Sequence, residues 1–226
     1  MVESYSDGLL APFAKYMSKY GDWQISDLGA SILVPKSGYH FNSILVRSKR
    51  LSYSSDKSWE FTASVVIIDK ENFSSENILL FQRLKGYECE LERTGFVRKN
   101  YRFHSSPFLE YLQNENTNVY INSSLVEILN QESSLLQCIH KIVPDQLSVR
   151  LFSQPIITKD LDEYSRKFKE RYESPSELIW NISIEKFIDV IFSKKKYFQT
   201  LDLIIELLED ISINVQRITK ETEARL

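Results

Sequence analysis

At 226 residues, with 42% hydrophobic and 12% aromatic residues, the chain can bury a sizeable core as one large domain, and its composition excludes disorder over most of its length. Twenty-eight basic residues against 31 acidic ones give a net charge of −3, too balanced for broad attraction to phosphate backbones or anionic lipid. No apolar stretch reaches the roughly 20 residues that span a bilayer, and Cys89 and Cys138 match neither a disulfide framework nor a metal-ligand spacing, so reduced thiols in a cytoplasmic chain without membrane contact are expected.

Leu9, Leu10, Phe13, Tyr16, Met17 and Tyr20 recur at three- and four-residue spacing, which predicts a short amphipathic helix with Pro12 in its first turn and Gly21 as its stop. Glu3 and Asp7 ahead of it lack the basic start of a secretory signal, in keeping with the cytoplasmic expectation. Between Trp23 and Phe41 the breakers Gly29, Pro35 and Gly38 leave room for one or two short strands. Period two then sets in. Ile44, Val46, Leu51 and Tyr53 predict one strand, Phe61, Ala63, Val65 and Ile67 its partner, and the polar run 54–58 the loop of a long antiparallel hairpin.

A second hairpin is expected over residues 86–104, where Tyr87, Cys89 and Leu91 alternate with Glu88, Glu90 and Glu92. A three-residue loop with Gly95 in the left-handed conformation pairs Leu91 with Val97, Tyr87 with Tyr101 and Glu90 with Arg98. The three glutamates then form a solvated face paired with Arg98 and Arg102. Short helices follow at Phe108 to Leu112, and at Leu125 to Leu129 behind Ser123 and Ser124. Leu135 to Val143 and Leu147 to Ile157 have strand character with Pro144-Asp145-Gln146 as the turn, which predicts a further hairpin. Asp160 to Tyr172 reads as a charged surface helix.

From Ile184 to about Ile218 the pattern is helical, with an interruption near Ser193. Phe187, Val190, Lys194, Tyr197, Leu201, Ile204, Leu208, Ile211, Val215 and Ile218 mark an a/d seam, widened in its middle by Leu203, Ile205 and Leu207. The expected fold is α+β: a mainly antiparallel sheet with short helices between strands and a long amphipathic C-terminal helix. Residues 1–175 form the mixed domain, and residues 176–226 a helical segment packing on that domain, on a partner or on both.

Chemical motifs are sparse. The six glycines form no phosphate cradle, and His40, His104 and His140 belong to no ligand spacing, so no cofactor and no metal are expected. No serine sits in a nucleophile elbow. Cys138 and His140, two apart on a strand, would share a face, but a core cysteine beside a strand-end histidine is the plainer reading. Lys194-Lys195-Lys196 is too small a cluster for lipid recognition.

The function these features point to is a non-enzymatic interaction or assembly protein, a homo-oligomer or the binder of a protein partner. Beyond Ile211 only Val215 and Ile218 remain apolar on the last helix, and this narrow seam, Leu208, Ile211, Val215 and Ile218, is the expected oligomer contact. One rival is a nucleic-acid-binding module, in which Arg98, Lys99, Tyr101 and Arg102 of the basic aromatic hairpin would meet phosphates and bases. The other is an enzyme whose site is assembled from distant residues, with catalytic residues that no local motif identifies.

Overall fold

In the described strands, successive side chains turn to opposite faces of one sheet. The computed structural model describes residues 15–25, 31–50, 57–69, 72, 77–95, 100–115, 119–152, 177–187 and 194–226. Its strands are β1 (Gly21–Ile25), β2 (Ser31–Pro35), β3 (Ser43–Arg50), β4 (Lys57–Ile68), β5 (Cys89–Thr94), β6 (Asn100–Ser105), β7 (Gln146–Phe152) and β8 (Leu178–Phe187). They form one eight-stranded sheet in the order β1-β2-β3-β4-β8-β7-β5-β6, every pairing antiparallel. The helices are α1 (Asn77–Leu84), followed by a 3-10 turn (Lys85–Tyr87), then α2 (Pro107–Asn114), α3 (Ser124–Gln131), α4 (Ser133–Ile142) and α5 (Lys194–Glu223). This is the expected α+β architecture.

Apolar rows run across the strands on one face. Val46, Phe61, Ile184 and Leu147 stand in one row, and Ile44, Ala63, Ile182, Val149 and Cys89 in the next; all are buried. The 30-residue helix α5, about 45 Å long at 1.5 Å per residue, lies against β4 and β8 and packs with α1, α3 and α4. Its Thr219 takes a hydrogen bond of 3.1 Å from the Trp180 indole, at the centre of the sheet. Residues 15–17 are helical and dock on the other end of α5: the Tyr16 ring stacks on Phe198 at 4.0 Å, and Asp202 accepts from Lys19 at 2.7 Å, from Tyr16 at 2.6 Å and from Tyr20.

Strands β3 and β4 pair antiparallel as expected, with Lys57 and Ser58 of the expected loop already in β4. Four other expectations are corrected. The segment 133–142 is helix α4, not a strand, because Leu135, Cys138, Ile139 and Ile142 are buried at helical spacing; Val143, left-handed at φ 52° and followed by Pro144, ends it. There is thus no hairpin before β7. The helical reading from Ile184 is overturned as well: Leu178–Phe187 is a strand that pairs with β4 and β7 in the middle of the sheet, so the C-terminal segment starts with sheet and becomes helical at Lys194. The β5–β6 hairpin pairs Leu91 with Phe103 and Glu92 with Arg102, six residues from the expected register, although Gly95 does take a positive φ of 86°. Tyr87 and Glu88 precede the strand, and Glu88 is buried rather than solvated, its Oε1 accepting from Leu151 N at 3.4 Å.

The first part of the helix expected over 9–20, the loop 54–56, the strand end 153–157 and the helix 160–172 lie outside the described residues.

Candidate interaction surfaces

Because side chains alternate, the strands that build the core also build a second, polar face. The register lines up Leu45, Thr62, Ser183, Ser148, Glu90 and His104 in one row from β3 to β6. On one side of it runs the row Arg47, Glu60, Glu185 and Gln146, and on the other Ser43, Ser64, Asn181 and Arg150. These rows surround a concavity of about 230 Å³.

The groups in it hold one another. Ser183 Oγ donates to Glu60 Oε1 at 3.1 Å and lies 3.2 Å from Thr62 Oγ1. Ser64 Oγ donates to Asn181 Oδ1 at 3.1 Å, and Arg150 forms an ion pair with Glu90. Two basic and three acidic side chains, Arg47, Arg150, Glu60, Glu90 and Glu185, thus interleave with hydroxyls and amides on a surface set by a rigid sheet. None of the hydroxyl or amide members of these rows is expected from the sequence as a site residue. The signal for β8 is the alternation of Trp180, Ile182 and Ile184 with Asn181, Ser183 and Glu185; the shared surface itself leaves no local trace.

Leu208, Ile211, Val215 and Ile218 are all buried in the chain's own core, with exposures of 2% or less. The apolar stripe of α5 is therefore occupied within the protomer. Of the residues considered for nucleic acid, Arg98 and Lys99 lie outside the described residues. Arg102 is exposed, opposite Glu92. Tyr101 is buried, its ring edge-on to His140 at 5.0 Å, and Phe103 is buried too, so neither ring is presented for base stacking.

The outer edge of β6 is closed by a side chain: Asn130 of α3 accepts from Phe103 N at 2.8 Å and donates to Phe103 O at 2.9 Å, standing in for a neighbouring strand. Cys138 faces α5, where its thiol donates to Leu203 O at 3.4 Å, while His140 is exposed on a different side of α4; the two do not share a face. Burial, followed by the nearby Glu206 and Asp210, pushes the Cys138 thiol up to about 12. Burial does the same to Cys89, reinforced by Glu88 and Glu90. Both thiols stay protonated, the state of an inert core cysteine.

No helix among the described residues is long and apolar enough to cross a membrane. No family model, curated protein or solved structure matches this chain.

Proposed function

We propose that this chain is a non-enzymatic assembly protein that self-associates through the open face of its sheet. The carrying observation is the charge pattern: Arg47 next to Glu60 in one row, Arg150 next to Glu90 across another, with Thr62 and Ser183 between them. A face that interleaves both signs suits neither a polyanion nor a polycation, whereas a second copy related by a two-fold axis brings opposite charges together. Asn130 counts against strand addition at the β6 edge, because it occupies the hydrogen-bonding groups that an added strand would need at Phe103. The same reading has the protein working in the cytoplasm with Cys89 and Cys138 reduced, in line with both being buried free thiols.

Light scattering at micromolar concentration tests it. The wild type should have the mass of a dimer, and Ser183→Arg or Thr62→Arg, each placing a long cation in the middle of the face, should have that of a monomer with unchanged circular dichroism. A monomeric wild type, or a dimer indifferent to both substitutions, overturns the proposal.

A further inference from the structure

A second concavity, of about 260 Å³, lies at the far end of α5, lined by Arg83, Tyr87, Tyr120, Asn122, Thr222 and Arg225 together with Leu226. Its wall depends on residue 86 being glycine. A Cβ there would lie 2.1 Å from the Tyr120 carbonyl oxygen, and Asn122 N donates to Gly86 O at 2.8 Å, so the 3-10 turn and the segment leading into α3 are clasped backbone to backbone.

The polar groups around this space are donors. Arg83 and Arg225 are exposed guanidiniums on α1 and on the last turn after α5, each with five N–H groups in a fork that matches an oxyanion. Asn122 uses its Oδ1 to accept from Ser124 N at 2.9 Å, which leaves the amide nitrogen as its second polar group. Thr222 has a single hydroxyl proton, and Ile218 O at 2.8 Å takes it in preference to the Tyr87 hydroxyl at 3.5 Å. Tyr87, only 5% exposed, can turn its own proton to Thr222 Oγ1, 3.5 Å away, or to a ligand in the cavity. No Asp or Glu side chain is among the described lining residues.

One group opposes an anion here: the C-terminal dipole of α5, equivalent to about half a negative charge. Two guanidiniums exceed it. Donors also arrive from four separate elements, which suits a tetrahedral anion with several acceptor oxygens better than a planar one with two. We infer that this cavity binds a phosphoryl group, free or carried on a small molecule, between Arg83 and Arg225. This is independent of the sheet face.

Calorimetric titration at low ionic strength, where such contacts are least screened, tests it with pyrophosphate, inorganic phosphate, a nucleoside monophosphate and acetate as probes. Pyrophosphate should bind saturably, one per chain, and acetate at least about tenfold more weakly. Arg83→Gln and Arg225→Gln should each weaken pyrophosphate about tenfold, and Tyr87→Phe several-fold, with thermal midpoints of the unliganded variants unchanged.

Tyr120, 68% exposed at the same cavity, distinguishes the two sources. If the nucleoside monophosphate binds more tightly than inorganic phosphate and Tyr120→Ser removes the difference, the phosphoryl group arrives on a small molecule with a planar ring; equal affinities identify the free anion. Absence of saturable binding at about 10 mM pyrophosphate, acetate binding as tightly, or affinity untouched by both arginine substitutions overturns the inference.

Discussion

On one face of the sheet, Val46, Phe61, Ile184 and Leu147 are buried in the core; on the other, the next residues of the same strands, Leu45, Thr62, Ser183 and Ser148, form a half-exposed, mostly polar row. The covered face removes apolar area from water, at about 25 cal/mol per Å², and its cost of alteration is set by cavities and buried charge. The open face exchanges water contacts for hydroxyl bonds and exposed ion pairs, each worth on the order of 1 kcal/mol or less. Stability and surface chemistry are thereby assigned to alternate residues of the same strands, so the second can vary without the first.

The sharpest way to break this comparison is to place charge on the covered side. Ile211→Asp with Val215→Asp puts two carboxylates where both side chains have 0% exposure, a cost of several kcal/mol each against a total stability of about 5–15 kcal/mol. The double variant should lose its cooperative unfolding transition and its sheet signal in circular dichroism. A folded monomer with native circular dichroism would mean that the stripe is dispensable to the protomer. Leu208→Ala is milder, about 2–5 kcal/mol from lost transfer energy and a cavity, measured as a drop of roughly 4–20 °C in Tm for a chain of this size. Thr62→Ala on the open face should cost under about 1 kcal/mol.

How much of this was readable in the sequence depends on which physical signal each element leaves. The β3–β4 hairpin was legible because alternation persists through both strands and the loop between them is polar. The β5–β6 register was not, because a slip of six residues is even: it keeps every side chain on its face, and the hydrophobic pattern cannot tell Leu91 opposite Val97 from Leu91 opposite Phe103. In α4 the run Leu135-Leu136, Cys138-Ile139 and Ile142-Val143 is short enough to fit either period. β8 was absorbed into the helix behind it because Ile184 and Phe187 extend the a/d count of α5 backwards. The open face has no local signature at all, since Thr62 and Ser183 meet across 121 positions of chain.

A moderate effect is expected at the sheet edge. Asn130→Ala removes two hydrogen bonds from Phe103 of β6, about 1–2 kcal/mol in all, and bares a backbone edge that can recruit strands. Chemical denaturation should give that loss, and sedimentation a new concentration-dependent heavy species. If stability falls with no change in association, Asn130 closes the hairpin without guarding it.

The smallest effects compare two carboxylates of α5 whose surroundings act in opposite directions. At Asp202 burial alone would raise the pKa, but hydrogen bonds from Lys19, Tyr16 and Tyr20 outweigh it and hold the group below its ordinary 3.8. Asp202 therefore stabilises the fold above that value, and the contribution is lost as pH falls through the depressed folded pKa. Asp210 is raised, by burial first and then by Glu206, Glu132 and Glu209. An acid with a raised folded pKa is protonated in both states at low pH and costs nothing there; the penalty grows as pH climbs from 3.8 through the folded value, and is constant above it. Asp210→Asn should accordingly stabilise the protein at pH 7, by a few tenths of a kcal/mol given solvent screening, and the gain should vanish near pH 3. Asp202→Asn should destabilise by a similar amount at pH 7. Denaturation of both variants and wild type at pH 3 and pH 7 measures the two signs. A loss at Asp210→Asn, or a gain that persists at pH 3, would mean that the side chain acts through packing rather than through its charge.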